Sequence, residues 1–342
     1  MDFTPTETQR EIAALAREVL ASGGWKELAQ AGLLSLALPG WLDGDGLGVA
    51  EITALLTEAG RSGAAGPTFA TLALGVLPAV RWADRAVQED LLPGVGAGER
   101  ILSAALREPG DPFPARPSVT VTGDRVRGVK VGVPYCAEAA RVLVSASAEN
   151  GQATVAVIDP ADAAVTRTHT AGGEPEYTLT MDGVPVRGTL AEGAAEGLYR
   201  LALAGALAVA DGAVAAALAL TRDHIATREQ FGRPLATFQA AAQHIADVYI
   251  AARTLHLSVT SACWRLSEGL GDAGSDLDVA AYWLASRAPT AMLTCHHLHG
   301  GLGMDVTHPL PRYSGLVKDL VRFVGGADYR LDRLAEGSTR VH

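Results

Sequence analysis

Cysteine is scarce in this chain, with 3 in 342 residues and none spaced as a CxxC pair. Cys136, Cys263 and Cys295 stand far apart and are odd in number, which argues against a disulfide framework and against a zinc site. We therefore expect a protein of the reducing cytoplasm. The N-terminal residues are charged and amphipathic and lack the apolar core of a secretory leader, so no export signal is expected.

The sequence also lacks runs of basic residues. Its 28 Lys and Arg residues stand against 38 Asp and Glu, for a net charge of -10, and they form no stripe that would neutralise phosphates. Nucleic acid is therefore not an expected partner. An uninterrupted membrane-spanning run is missing too: the Ala/Leu-rich stretch from Leu198 to Leu220 is broken by Arg200 and Asp211, and a buried helix explains it better.

Apolar residues dominate what is present. They make up 48% of the chain against 19% charged residues, which predicts extensive burial, including subunit interfaces, in two or three domains. Apolar residues recur at helical spacing in residues 1–100, with a glycine-rich segment at Gly40 to Gly48 that we interpret as a loop. Short β-branched runs fill residues 101–190, and helical spacing returns in 191–342.

This order predicts an α+β fold in three blocks: an N-terminal helical domain, a central β domain and a C-terminal helical bundle. The predicted helices of the third block are Leu198–Arg228, Ala236–Leu266, Asp276–Leu298 and Pro309–Leu334.

The first informative motif is ATREQFGRPLATFQ, Ala226 to Gln239, where a long predicted helix reaches a Gly-Arg-Pro turn. Arg228 and Phe231 are three residues apart, a spacing that predicts one helical face from which a guanidinium and a ring reach the same ligand. An exposed arginine and a core phenylalanine are the alternative interpretation.

The second motif is HHLHGGLGMDVTHPLPRY, which begins at His296 and places three glycines within four residues. Glycines let a backbone approach a ligand where a Cβ would clash. The clustered histidines His296, His297 and His299 lack i, i+4 spacing and a nearby carboxylate pair, so we expect no metal site.

Taken together and in this order, the two motifs resemble those of the acyl-CoA dehydrogenase family. In that family a helix carrying R-x-[QT]-F-G and a later Q-x-x-GG-x-G loop hold the FAD of the neighbouring subunit. His297 stands where the family usually has Gln, and a histidine can still donate one hydrogen bond. The resemblance implies FAD as the cofactor, bound by Arg228, Gln230, Phe231, His297, Gly300 and Gly301, with Gly303 completing the loop motif.

The resemblance covers the whole chain, with a shortened N-terminal domain and a C-terminal four-helix bundle, but the catalytic base is missing. The family's glutamate removes the α-proton of an acyl-CoA while a hydride leaves the β-carbon, which gives a 2,3-enoyl-CoA. The two positions that carry this glutamate in family members fall at Val324 and Leu203, and neither side chain accepts a proton. We therefore expect no catalytic residue in this chain.

Three other carboxylates are candidates for a displaced base. Glu196 and Asp211 are interpreted as helix-surface or capping groups, and Glu229 as a solvated neighbour of Arg228.

The central domain departs from the family pattern as well. DPFPARPS replaces the Gly-Ser-Asp stretch after E-P-G, and GVKVGVPYC replaces the W-x-T-N stretch that flanks the flavin. The losses all fall on one half of the site. The chain thus resembles the smaller, non-catalytic subunits of heterotetrameric steroid side-chain acyl-CoA dehydrogenases.

This resemblance implies a homologous partner subunit that carries the glutamate, two copies of each chain, and a CoA thioester substrate. Two alternatives stay open: a self-sufficient homomeric dehydrogenase or oxidase with an unusual base, and a flavin-free scaffold subunit.

Overall fold

The computed structural model describes residues 3–63 and 66–339; the outer limits of the predicted domains, residues 1 and 342, lie outside them. Its order of helices, sheet and helices confirms the predicted α+β architecture. Two hydrophobic cores support it, one shared by the N-terminal helices and the bundle and one inside the sheet. The internal domain limits near residues 100 and 190 stay predictions.

The N-terminal block is built of helices. Thr6 and Gln9 form a capping box at the start of the first helix, since each side chain bonds the backbone N–H of the other. A π-helix at Phe69–Val76 runs directly into the fourth helix. The helices are α1 Glu7–Ser22, α2 Trp25–Gln30, α3 Val49–Ser62, α4 Leu77–Trp82 and α5 Arg85–Leu91.

The central block is an eight-stranded sheet in the order β6-β7-β3-β2-β4-β5-β8, with β1 parallel to β4. Its longest pairing is the antiparallel ladder between β3 and β7, in register at Val129 and Thr180. The strands are β1 Leu102–Ala105, β2 Thr120–Thr122, β3 Arg125–Pro134, β4 Arg141–Ser147, β5 Ala153–Ile158, β6 Ala164–Thr168, β7 Glu176–Pro185 and β8 Gly188–Thr189.

The C-terminal bundle corrects one prediction. The stretch Pro309–Leu334 was predicted as a single helix, but it is two helices separated at Gly325 and Gly326, whose φ angles are 96° and 83°. Two consecutive residues in the left-handed region end a right-handed helix. The bundle helices are α6 Ala194–Thr227, α7 Gln239–Ser267, α8 Ala273–His299, α9 Leu310–Phe323 and α10 Gly326–Thr339.

The long helix α6 is largely buried and packs against both the N-terminal block and the other helices of the bundle. Within the described residues it is the one helix long and apolar enough to cross a membrane by length and composition, yet 89% of its most apolar window is buried in the protein. It meets α3 backbone to backbone: a Cβ at Gly212 would lie 1.8 Å from the Thr57 carbonyl oxygen, and one at Gly60 would lie 1.9 Å from that of Val209. Glycine at these positions joins the N-terminal block tightly to the bundle.

Candidate functional site

The segment that carries the first motif is a hairpin, and this corrects the prediction of a shared helical face. Helix α6 ends at Thr227, and β9 Glu229–Gln230 pairs with β10 Arg233–Pro234. Phe231 and Gly232 form the turn between them, with φ angles of 53° and 78°. Positive φ at both central residues is typical of a type I′ turn, which reverses the chain and cannot continue a helix.

The hairpin presents its side chains to solvent. Phe231 is 93% exposed, so the alternative of a core phenylalanine is wrong as well. Arg228 is exposed and has no ion-pair partner among the residues that the structure describes. The side-chain amide of Gln230, also exposed, donates to the neighbouring carbonyl oxygen of Glu229. An unpaired guanidinium and an exposed ring therefore stand at one end of the bundle.

The glycine loop follows directly from the end of α8. Gly300 has a φ of 60° and opens a 3-10 turn that reaches Met304. The Nδ1–H of His296 donates to the carbonyl oxygen of Gly303 at 2.8 Å and holds this turn against the helix. Gly301 is exposed with open space around it, so its backbone is accessible.

Stacked imidazoles bring the two motifs to the same end of the bundle. The rings of His224 on α6 and His299 on α8 are 4.3 Å apart and nearly parallel. His244 on α7 meets His297 on α8 edge to face at 5.4 Å. The ends of α8 and α6 and the beginning of α7 thus converge, and with them the hairpin and the glycine loop.

The charged forms of the stacked histidines His224 and His299 are disfavoured. Burial, and then the neighbouring Arg228 and His308, lower the pKa of His224, and burial is the main cause that lowers the pKa of His299. Arg228 and Arg233, both exposed on the hairpin segment, are the cationic side chains that it offers to an anion. No cluster of three or more potential metal ligands occurs in the described part of the chain.

The positions of the missing base lie in a different, closed region. Val324 is 0% exposed and Leu203 is 6% exposed, so neither lines an open cleft. Four rings, which we call the aromatic cluster, fill the space between the π-helix, the DPFPARPS segment, α6 and α9. The ring centroids of Phe69 and Phe323, Phe113 and Tyr199, and Phe113 and Phe323 are 5.3, 5.4 and 5.8 Å apart.

Polar contacts seal the aromatic cluster. The Tyr199 hydroxyl donates to the Pro114 carbonyl oxygen at 2.9 Å. Arg330 stacks on Phe113, with its guanidinium carbon 4.7 Å from the ring centre, and pairs with Asp278 at 2.6 Å. Within the segment that replaces the family's Gly-Ser-Asp stretch, Phe113, Pro114 and Pro117 are therefore buried in the core.

The segment GVKVGVPYC contains a buried ion pair that the sequence analysis missed. Lys130 Nζ donates to Glu108 Oε1 at 2.8 Å, to Ser145 Oγ at 2.9 Å and to the Leu106 carbonyl oxygen at 3.2 Å. Burial lowers the pKa of Lys130 to about 8, and the ion pair with Glu108 opposes that shift. All three ammonium protons have acceptors, which makes this lysine structural. A lone lysine among the valines of a strand was the available signal.

The three candidate bases lie apart from the aromatic cluster or outside the core. Glu196 is exposed and paired with Arg200 at 2.5 Å, and Glu229 is exposed on the hairpin. Asp211 is not the surface or capping group that was expected: it is 6% exposed and bonded to His256 Nδ1 at 2.9 Å. Covering by α3 and α7 explains this burial. At 1.5 Å per residue, Asp211 lies about 18 Å along α6 from Tyr199.

Comparison with known proteins agrees with this architecture. A family model described as the acyl-CoA dehydrogenase N-terminal domain matches residues 3–99, and one for the C-terminal domain matches residues 194–342. Acyl-CoA dehydrogenase FadE28 of Mycobacterium tuberculosis is 48% identical over 338 residues, which cover 98% of each chain.

Two solved structures are similar over their full length. One chain of the ChsE4-ChsE5 complex from Mycobacterium tuberculosis has a TM-score of 0.92 and 31% identity, with 100% of both chains covered. A G363A variant of the steroid ACAD Tcur3481-Tcur3483 gives 0.88 and 34%, with 97% of this chain and 99% of the other covered. This chain therefore belongs to the acyl-CoA dehydrogenase family of oxidoreductases, whose cofactor is FAD.

Proposed function

We propose that this chain is the FAD-sharing, non-catalytic subunit of a mixed acyl-CoA dehydrogenase complex, in which a homologous partner subunit carries the flavin ring and the catalytic glutamate. The contrast between two regions carries the proposal. The hairpin and the glycine loop are largely exposed, and Arg228 has no ion-pair partner among the described residues, whereas the aromatic cluster closes the chain's own cleft.

The exposed end fits the adenosine and pyrophosphate half of FAD. Arg228 supplies a planar guanidinium for charge-assisted bonds to the pyrophosphate. Gly300 and Gly301 leave room for a close backbone approach, and Gln230 and His297 supply side-chain donors. Phe231, at 93% exposure, covers an apolar part of the ligand or its pocket. When bound, FAD accepts the hydride that leaves the β-carbon, and none of these residues is assigned to its ring.

The closed region does not fit the flavin ring. A tricyclic ring needs an open slot, and here that space holds four aromatic side chains and the buried Val324. Abstraction of an α-proton needs a positioned base, and Val324 and Leu203 offer none. The proposal therefore implies one FAD for each pair of subunits, located at the partner's active site.

Exposed apolar side chains on the bundle support a partner. Large apolar side chains left exposed in number are typical of surfaces that another protein covers. The two relatives of known structure are named as pairs of proteins, ChsE4-ChsE5 and Tcur3481-Tcur3483, and we propose two copies of each subunit here. The large apolar residues exposed on α7, α8, the hairpin, the glycine loop and the segment after it are Phe231, Tyr249, Ile250, Leu257, Val279, Leu293, Leu302, Met304 and Val306.

The proposed reaction is α,β-dehydrogenation of an acyl-CoA thioester. The name of one relative, a steroid ACAD, supports a steroid side-chain CoA as the substrate class. Cys136, Cys263 and Cys295 are all free and buried, which is consistent with the proposed location in a reducing cytoplasm.

The decisive experiment is co-expression with a homologous acyl-CoA dehydrogenase subunit that carries the glutamate, followed by native mass measurement and flavin quantification. We expect a tetramer with two copies of each chain, one FAD per pair of subunits, and turnover that the chain alone does not give. A flavin-saturated, active homotetramer of this chain would instead indicate the self-sufficient enzyme. A complex that never holds flavin would indicate the scaffold.

A further inference from the structure

A cavity of about 1040 Å³ lies between α1, α3, α6 and α7, where the N-terminal block meets the bundle. Ligand sites for small molecules commonly have volumes of roughly 300–1,000 Å³. None of the four rings of the aromatic cluster and no residue of the hairpin lines it. The cavity is therefore separate from both regions on which the proposed function rests.

The charged side chains that line this cavity balance one another. Four arginines stand against four carboxylates, so the wall has no net charge apart from any carried by His256. Glu58 is bonded by Arg17 at 2.9 Å and by Arg61 at 3.2 Å. An ion of either sign would lose its hydration here without meeting an excess of the opposite charge, so the wall favours a neutral ligand. The eight charged residues are Arg10, Arg17, Arg61, Arg81, Glu51, Glu58, Asp211 and Glu268.

One polar atom of the wall is left for such a ligand. The buried carboxylate of Asp211 accepts the Nδ1–H of His256 at 2.9 Å and so orients the imidazole. The other ring nitrogen, Nε2, has no hydrogen-bond partner in the part of the chain that the structure describes. A hydroxyl group both donates and accepts, so it can bond Nε2 whether the imidazole is neutral or protonated. A carboxylate could bond it only in the protonated state.

Apolar side chains cover the wall beyond this imidazole. Leu201 lies one and a half nanometres from Asp211 along α6, about 15 Å at 1.5 Å per residue. Leu77 and Trp264 line the cavity as well, and the ring of Phe3 packs edge to face on Trp264 with the centroids 6.3 Å apart. A hydrocarbon chain or ring system that starts at the imidazole can therefore lie against apolar surface along its length.

We propose that this cavity binds a neutral, mainly hydrocarbon alcohol, with its hydroxyl at Nε2 of His256 and its hydrocarbon part against Leu77 and Leu201. The hydroxyl bonds the free ring nitrogen, the hydrocarbon part leaves water, and the ion pairs of the wall stay intact. This site does not depend on the proposed function, because it uses none of the residues assigned to FAD.

The test uses the protein in the assembly in which it purifies and octan-1-ol as a soluble probe, measured by titration calorimetry. Octanoate has the same chain length with a charge, butan-1-ol has the hydroxyl with half the chain, and heptyl methyl ether is an isomer without a hydroxyl proton. We expect saturable octan-1-ol binding that is at least about tenfold tighter than that of octanoate or butan-1-ol. It should be at least about threefold tighter than that of the ether.

Three results overturn the proposal. Octanoate that binds as tightly as octan-1-ol shows that the site does not select a neutral head group. An ether that binds equally well shows that no hydroxyl is recognised. Absence of octan-1-ol binding shows that the cavity holds no such ligand.

A matched pair of variants on α1 locates the site. Ala13 lines the cavity and is half-buried, so Ala13→Phe places a ring in the space, whereas Ala21 on the same helix is exposed outside it. Octan-1-ol binding is expected to fall at least about tenfold in Ala13→Phe and to persist in Ala21→Phe. If Ala13→Phe does not fold, Ala54→Phe blocks the cavity from α3. Undiminished binding in the folded, blocked variant shows that the alcohol binds elsewhere and overturns the proposal.

Discussion

The ammonium of Lys130 lies 2.8 Å from Oε1 of Glu108, and the two side chains are 0% and 6% exposed. Glu108 in turn accepts from the Ser118 hydroxyl and from the backbone N–H groups of Ser118 and Val119. The pair therefore ties β3 to the chain on either side of the DPFPARPS segment, and it holds in place the phenylalanine that closes the cleft.

Removal of the Lys130 ammonium leaves the carboxylate of Glu108 buried without its counter-ion. Lys130→Met is therefore expected to lower the free energy of unfolding by about 3–5 kcal/mol. Arg127→Met, on the same strand, breaks an exposed ion pair with Asp182 and should change the free energy of unfolding by less than about 1 kcal/mol. Denaturant titration of both variants checks this, and similar losses would show that the buried pair has no special role.

Loss of the Arg228 guanidinium should weaken FAD retention in the complex. Arg228→Ala removes a charge-assisted contact of about 1.5–3 kcal/mol, which corresponds to more than tenfold in affinity. Arg222→Ala is the control, because Arg222 is an exposed arginine of α6 that precedes the hairpin and pairs with Asp223. Flavin release from the two complexes is compared by fluorescence, and equal retention would exclude Arg228 as a phosphate ligand.

None of the three candidate carboxylates should be the catalytic base. Glu196→Gln, Asp211→Asn and Glu229→Gln are each expected to leave turnover of the complex within a few-fold. A true general base contributes about 10²–10⁴-fold, so removal of the partner's glutamate should abolish turnover. A loss of that size in any one amide variant, with folding and flavin content intact, would make this chain the catalytic subunit.

A carboxylate placed at the family's usual position should not restore activity. Val324 is 0% exposed and its carbonyl oxygen accepts from Arg330 Nε at 2.6 Å, so Val324→Glu would bury an acid in a packed region. We expect a lower midpoint of thermal unfolding and no turnover by the chain alone. Dehydrogenation by the isolated variant would mean that the cleft opens enough to admit flavin and substrate.

The pair of Asp211 and His256 should make stability depend on pH. The hydrogen bond that His256 Nδ1–H donates to the Asp211 carboxylate raises the folded-state pKa of His256 above its ordinary value of 6.5. The stability that this pair contributes to the fold is therefore fully present below about pH 6.5, and it is lost as the pH rises through the folded-state pKa of His256.

NMR titration of the His256 ring should give a midpoint above 6.5 in the parent chain and a lower one in Asp211→Asn. The stability difference between the parent and His256→Gln should narrow as the pH rises. An unchanged midpoint in Asp211→Asn would contradict the assignment.

Periodicity predicted the helices and the sheet, but it could not predict contacts made between distant residues. The amphipathic pattern continues across Gly325 and Gly326, so the break between α9 and α10 depends on backbone conformation that spacing does not reveal. In the same way, the i, i+3 spacing from Arg228 to Phe231 is compatible with a helix. The structure instead has a hairpin there, because Phe231 adopts a positive φ. Asp211 was wrongly predicted to be a surface or capping group, because its hydrogen-bond partner His256 is 45 residues away in the sequence.

The candidate cofactor site came from motif resemblance rather than from spacing. Nothing in the sequence separation places His224 against His299 or the hairpin beside the glycine loop; the packing of α6 on α8 does so. The sequence predicted the closed cleft only indirectly, through the absence of the family's glutamate and of the two stretches that flank the flavin. That phenylalanines fill the space is a property of packing, which an apolar sequence pattern permits but does not specify.

The backbone contact of α3 and α6 at Gly60 and Gly212 leaves no room for a side chain at either position. Backbone atoms in direct contact cannot rotate away as side chains do, so this crossing is rigid. Helix α1 is held on α3 by side chains, among them Ile12 and the ion pair between Arg17 and Glu58. The N-terminal block is therefore expected to open first at α1, whose amide hydrogens should exchange before those of α3 and α6.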